Sequence, residues 1–216
     1  MLIGIDAGTS VVKAVAFSDD GDVLTVESRQ VKLYSPSPDR WEQDLEETLS
    51  AVGEVVRAVA GRAGGTPGVV GVTGQGDGLW LLDERGRSVR RGITWLDARS
   101  SPIVREWMAS GVFEALYRRN GNVMFPGAPA PLLRALARQE PESLARAATA
   151  AYCKDAIVQR LTGSPARGRP TSRTPRSRSS TSGRAATTPS CSPYAASRTT
   201  RACSRHRTRS PALCAR

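Results

Sequence analysis

The first 163 residues of this 216-residue chain contain one cysteine, Cys153, and no histidine, since the single histidine is His206. The other three cysteines, Cys191, Cys203 and Cys214, stand near the end without metal-ligand spacing. No disulfide framework and no zinc site is expected, which makes the cytoplasm the default location. No apolar window reaches the length of a membrane span and no signal peptide is visible, so no membrane role is expected. Gly-x-Gly-x-x-Gly is absent, as is the Gly-Lys-Ser/Thr of a P-loop, which excludes a dinucleotide fingerprint and a Walker loop. There is no internal repeat.

A sharper absence is local. From Ser164 to Arg216 there are 12 Arg but no Lys, Asp or Glu, and Leu213 is the sole residue among Leu, Ile, Val, Phe, Met and Trp. Of 31 basic and 20 acidic side chains in the chain, residues 1–163 hold 19 and 20, so the formal charge of +11 belongs to the tail. So polar a segment cannot bury enough apolar surface to offset its ordering entropy, and disorder is expected over 164–216. Two readings of it stand. One is a basic arm that contacts nucleic-acid phosphates, with Tyr194 as its single stacking aromatic. The other is out-of-frame translation beginning near Ser164 to Gly168. A one-base shift turns the first base of each codon into the second base of the next reading, and that base largely sets polarity. From Arg169 to His206 the shifted frame permits acids, strand-like and helix-like stretches, opening A-T-D-x-T-D-A-S. No nucleic-acid partner is expected for residues 1–163.

Those residues read as an α/β domain. Leu2, Ile3 and Ile5 form a buried strand, and Val11, Val12, Val15 and Phe17 a second. Between them Asp6-Ala7-Gly8-Thr9-Ser10 concentrates an acid, a glycine and two hydroxyls in one hairpin loop. Gly8 permits close approach of a ligand, exposed amides with Thr9 and Ser10 suit a phosphate, and Asp6 suits magnesium held through water. The plainer reading is an ordinary hairpin turn. A third strand is expected over Val23 to Leu33. Leu45, Leu49, Val52, Val56 and Val59 recur on one helical face that opens at Asp44 and ends at Gly64–Gly68. Short strands follow at Val69–Thr73 and Leu79–Leu82, then helices near Pro102–Ala109, Phe113–Arg119, Pro131–Arg138 and Asp155–Leu161. This order predicts a mixed sheet covered by helices.

Several stretches together resemble the FGGY carbohydrate kinases of the actin/hexokinase/Hsp70 ATPase superfamily. Ile3 to Lys13 is similar to their first phosphate loop, and Trp41-Glu42-Gln43-Asp44 to the segment before their first helix. Gly74-Gln75-Gly76-Asp77-Gly78 stands where xylulose kinases carry Gly-Gln-Met-His-Gly, and is closer to erythritol and related polyol kinases. Thr94-Trp95-Leu96-Asp97-Ala98-Arg99 resembles Trp-Asn-Asp-Gly-Arg. Gly121 to Gly127, Glu140-Pro141-Glu142, Lys154-Asp155 and Leu161-Thr162-Gly163 match in order, with Asn122 to Gly127 closer to xylulose kinases.

The resemblance implies a ribonuclease-H-like (actin/hexokinase-type) ATPase domain, ATP and Mg2+ as cofactors, and a short sugar or polyol, a pentulose or tetritol, as phosphate acceptor. Asp6, Gly8, Thr9, Ser10 and Lys13 are expected at the ATP phosphates. Gln75, Asp77, Asp97 and Arg99 are expected at the acceptor hydroxyls, where a carboxylate accepts and an amide does both. Lys13 reads equally as a solvated strand lysine, Asp77 as a turn acid, and Asp97 with Arg99 as a helix-start acid and a surface ion pair. Trp95 is expected to be core or pocket wall, and Trp80 and Trp107 to pack. The family's second domain, with the adenosine pocket and the general-base Asp, has no match here. Residues 1–163 thus represent an incomplete first domain with no catalytic residue, and the 216-residue chain is expected to be inactive. A homodimer is implied for full-length members. A non-catalytic ATPase-fold regulator is the remaining alternative, which ATP binding without transfer to any polyol would favour.

Overall fold

The computed structural model describes residues 1–163. The disorder, nucleic-acid and out-of-frame readings of 164–216 lie outside the described residues. β1 (Leu2–Ala7) and β2 (Val11–Phe17) form the expected hairpin, and β3 (Val23–Gln30) pairs antiparallel with β2. β3 stops at Gln30, short of the expected Leu33, and β4 (Tyr34–Ser37) and β5 (Arg40–Gln43) form a second hairpin where the sequence predicts only the approach to a helix. α1 (Leu45–Ala63) follows, then β6 (Val69–Gly74), which pairs parallel with β1. The main sheet is therefore mixed, in the order β3-β2-β1-β6.

Alternation sets which side of this sheet is covered. Ile3, Ile5, Ala7, Val12, Ala14 and Ala16 point to one face and are buried against α1. The buried stripe of α1 is Leu45, Thr48, Ala51, Val52, Val55 and Val59. Leu49 and Val56, expected at its centre, flank it half-buried, because small Thr48 and Ala51 let the helix approach more closely on their side. Asp44 caps the helix by accepting from the amides of Glu46 (2.8 Å) and Glu47 (3.3 Å), and Gly64 closes it in a left-handed conformation. On the opposite face Leu2, Val11, Val26 and Val69 are exposed. Among the described residues β6 forms an outer edge of this sheet, its Val69 62% and Val70 43% exposed, with no charged residue along it.

The rest of the chain builds a buttress. β7 (Trp80–Leu82), β8 (Gly92–Ile93), α2 (Ser101–Ala109), α3 (Val112–Asn120), α4 (Pro129–Gln139), α5 (Pro141–Arg146), β9 (Thr149–Ala151) and α6 (Cys153–Thr162) follow in order. β8 pairs with β5, and β9 with β7. Leu132 and Leu136 of α4 pack on Leu79, Leu81 and Ile93 in a second apolar cluster. Trp80 is buried as expected.

Candidate functional site

β1 and β6 run in parallel, so the loops after them emerge side by side at one end of the sheet. Such carboxyl ends are where ligands bind in open α/β sheets. The Gln75 amide donates to the Ala7 carbonyl at 3.0 Å, which joins the two loops at their roots. In the first loop the Gly8 amide donates to the Val11 carbonyl at 3.0 Å. A Cβ on Gly8 would lie 2.9 Å from that same oxygen, so the turn needs glycine. The amides of Thr9 and Ser10 donate to no described group. Two adjacent free amides and an exposed hydroxyl on Ser10 give this loop three unengaged donors.

Side chains then tie the loop after β1 to the loop after β6. The Thr9 hydroxyl donates to Gln75 Oε1 at 3.2 Å, Gln75 Nε2 donates to Gln43 Oε1 at 2.8 Å, and Gln43 Nε2 donates to the Thr9 carbonyl at 3.1 Å. The three residues close a ring. Trp95 Nε1 adds a bond to the Thr9 hydroxyl at 3.0 Å, while the indole stays 44% exposed and walls the site. Gln43 has no expected role, although it stands in the Trp41–Asp44 stretch. It stands next to the helix cap Asp44, and it is buried.

Asp6 and Lys13 are cross-strand partners, both exposed, at the loop end of the hairpin. Asp77 is the single described non-glycine residue with positive φ, at 55°. Asp tolerates the left-handed region better than most residues. Its carboxylate is half-buried with no hydrogen bond or ion pair to a described group, and burial raises its pKa. The Gly78 amide donates to the Gly127 carbonyl at 2.9 Å, which docks this loop on the 121–127 segment.

Asp97 and Arg99 are placed differently from the expectation. They form a buried ion pair rather than a surface one. Asp97 accepts from the Trp41 amide (2.8 Å) and from the Arg99 amide (3.0 Å) and Nε (2.8 Å), and both side chains are almost fully buried. Arg99 also donates to Glu42 at 2.7 Å and to Glu140 at 3.4 Å, and Arg90 pairs with the same two acids. Burial works against the Arg99 charge, but hydrogen bonds to Asp97 and Glu42 outweigh it and raise its pKa. The cluster fixes the turn that carries Trp95 to β5, and so positions the wall of the site.

Behind Gln75 lies Cys153, the described free thiol. Burial pushes it up to about 12 from 9.0; Gln75 opposes the shift and Asp155 adds to it. At pH 8 that leaves roughly a thousandfold less thiolate than an unperturbed cysteine. Iodoacetamide should therefore leave Cys153 unmodified in the folded chain and alkylate it in urea, read by peptide mapping. Equal labelling in both states would show that the thiol is accessible.

Among the described residues no group of three or more His, Cys, Asp or Glu side chains gathers to hold a metal, and no helix is long and apolar enough to cross a membrane. A cavity beside the N-terminus of α1, lined by Asp44, Glu46, Arg87, Arg91 and Arg160, includes none of the loop residues.

The chain is 34% identical over 171 residues to the erythritol kinase of Brucella abortus, with 76% of this chain and 32% of that protein covered. It is 29% identical over 164 residues to the probable L-xylulose kinase of Pasteurella multocida, covering 74% of this chain and 34% of the relative. The crystal structure of gluconate kinase from Lactobacillus acidophilus superposes with a TM-score of 0.71 at 25% identity, over 74% of this chain and 32% of that one. The chain thus spans about a third of the length of the proteins it matches. The family model for the FGGY carbohydrate kinase N-terminal domain matches residues 1–182. A mixed sheet with helices, two loops joined at the ends of its parallel strands and this match agree: the chain belongs to the FGGY family of carbohydrate kinases, of which it carries the N-terminal domain.

Proposed function

We propose that this chain forms one wall of an ATP-dependent kinase site in which the γ-phosphoryl group passes to a hydroxyl of a short sugar or polyol, a pentulose or tetritol. The observation that carries the reading is the Thr9–Gln75–Gln43 ring, which holds a loop with free amides against a loop with an unpartnered carboxylate. Phosphoryl transfer is mostly positioning and charge stabilisation, and the ring supplies positioning. The amides of Thr9 and Ser10, with the Ser10 hydroxyl and Lys13, hold phosphate oxygens. Magnesium on ATP phosphates needs only one or two protein carboxylates. Exposed Asp6 at the end of β1 fits that need and would hold the ion through water. Bound ATP supplies the transferable group and the magnesium charge offsets its anionic oxygens. Gln75 and Asp77 hold acceptor hydroxyls, while Asp97 and Arg99 act at one remove by holding Trp95.

The base that deprotonates the acceptor is assigned to the part of longer relatives that this chain does not span, and the 216-residue chain alone has no turnover on this reading. Residues 164–216 are proposed to be translated out of frame; the nucleotide sequence around codons 160–170 tests this directly. In a frame-restored protein, Asp77→Ala should lower kcat/KM for the polyol roughly five- to a hundredfold, since it unpairs hydroxyls worth about 1–3 kcal/mol per group. Thr9→Ala should weaken use of ATP whichever polyol is supplied. Steady-state kinetics with polyol and ATP varied separately check both. Unchanged polyol kinetics in Asp77→Ala would make Asp77 a turn residue only.

A further inference from the structure

We propose that Gln43 is a positioning residue that sets the direction of the Thr9 hydroxyl, so that Thr9 offers the ligand a lone pair and takes an O–H donor rather than a phosphate oxygen. This rests on the kinase reading above and divides the work within the loop after β1.

The direction is forced link by link around the ring. A backbone carbonyl only accepts, so Gln43 must turn Nε2 to the Thr9 carbonyl, at 3.1 Å. Its Oε1 then faces Gln75, which must answer with Nε2, at 2.8 Å. Gln75 Oε1 is thereby left facing Thr9, whose hydroxyl donates its proton to it at 3.2 Å. The indole N–H of Trp95 only donates, so it occupies one lone pair of the same hydroxyl oxygen, at 3.0 Å. One lone pair of Thr9 Oγ1 remains, and it meets no described donor. Burial holds this order: Gln43 is 1% and Gln75 9% exposed, so an amide turned the wrong way would set like groups together away from water.

A phosphoryl oxygen brings no hydrogen to that lone pair. Anionic oxygens are therefore left to the unengaged amides of Thr9 and Ser10 and to the exposed Ser10 hydroxyl. The Thr9 hydroxyl takes an O–H group, supplied by a water held on magnesium or by the phosphate acceptor itself. Gln43 touches neither ligand and acts only through the orientation it imposes on Gln75 and Thr9.

The test is NMR on the full 216-residue chain. The side-chain amide protons of Gln75 should show stronger NOEs to the Gln43 side chain than to the Thr9 methyl. Sulfate, whose oxygens only accept, should shift the amides of Thr9 and Ser10, and site-resolved reading separates this from sulfate at the arginines of 164–216. Thr9→Val keeps the shape and removes the hydroxyl. It should leave that sulfate affinity within about twofold, and weaken by roughly tenfold the response of the same loop to magnesium chloride or to erythritol, titrated separately. A loss seen with magnesium assigns the donor to metal-bound water, and one seen with erythritol assigns it to the acceptor hydroxyl. Gln43→Met should turn the Gln75 amide toward Thr9 and tighten sulfate roughly tenfold, because the released hydroxyl then donates to the anion. Stronger NOEs from the Gln75 amide to the Thr9 methyl in the parent chain, or a tenfold loss of sulfate in Thr9→Val, would overturn the proposal and leave the kinase reading standing. Unchanged magnesium and erythritol responses in Thr9→Val would do the same. A parent chain whose Thr9 and Ser10 amides ignore sulfate would overturn the phosphate reading of the loop, whatever direction the ring takes.

Discussion

Arg99→Met should lower the melting midpoint of the domain by roughly 6–20 °C. The guanidinium touches Asp97 and Glu42 within 3 Å from a position that is 1% exposed. Its loss leaves Glu42 and Glu140 with Arg90 alone and takes from Asp97 the cation it pairs with. Breaking a buried pair from one side costs about 3–5 kcal/mol, because a charge is stranded away from water. That is a large part of the roughly 5–15 kcal/mol that holds a domain together, and at about 2–4 °C per kcal/mol it gives the stated shift. Arg118→Met is the control, since Arg118 pairs with Glu114 on the surface of α3 with both side chains mostly exposed. Such pairs contribute little, so this variant should melt with the parent. Matching midpoints for the two variants, by circular dichroism, would show that the buried cluster does not hold the fold. The same variant should release Trp95 from Thr9, seen as a changed indole N–H resonance.

Gly127→Ala should be among the most damaging glycine substitutions in the domain. A Cβ at Gly127 would overlap the main chain of Trp95 at its carbonyl. A crowded side chain can rotate away, but here both parties are backbone, so either the Trp95 turn or the 121–127 segment must move. Overpacking commonly costs about 1–3 kcal/mol, and an obstruction that cannot rotate belongs at or above the top of that range. Gly121→Ala provides the comparison. Gly121 has φ of 70° but open space around it, so it carries only the strain of the left-handed backbone, about 1 kcal/mol. Urea unfolding of the two variants should separate them by about 2 kcal/mol. Because Gly127 also accepts from the Gly78 amide, the Asp77 loop should move with it, and the two loops should lose their register. If both variants unfold at the same urea concentration, the close approach of Gly127 to Trp95 does not exist in solution.

The readable parts of this molecule were those whose cause is local. The β1–β2 hairpin announces itself by alternation and by Gly8, and α1 by Asp44 at one end and Gly64 at the other. The hairpin of β4 and β5 was hidden by Pro36 and Pro38, which speak against a strand, and its support comes from β8, some fifty residues on. The loops of the site were legible as two motifs, but their meeting was not. Thr9 and Gln75 are 66 residues apart and meet through the parallel pairing of β1 with β6, while Thr9 and Trp95 are 86 apart and meet because Asp97 holds the Trp95 turn on β5. Asp97 and Arg99 show how the same residues change role with burial. Two charges two positions apart suit a pocket, a helix start or a surface pair, and the choice is made by Glu42 and Glu140 from distant elements.

β6 has a physical consequence for a solution of this domain. Among the described residues it presents a row of unpaired backbone donors and acceptors on Val-Val-Gly-Val-Thr-Gly, without a charge, a proline or a bulge to discourage a newcomer. Strands of that kind recruit other strands edge to edge. Wherever that edge stays uncovered, crowding molecules together favours strand-to-strand pairing along it, and a single lysine there opposes the pairing without touching the core.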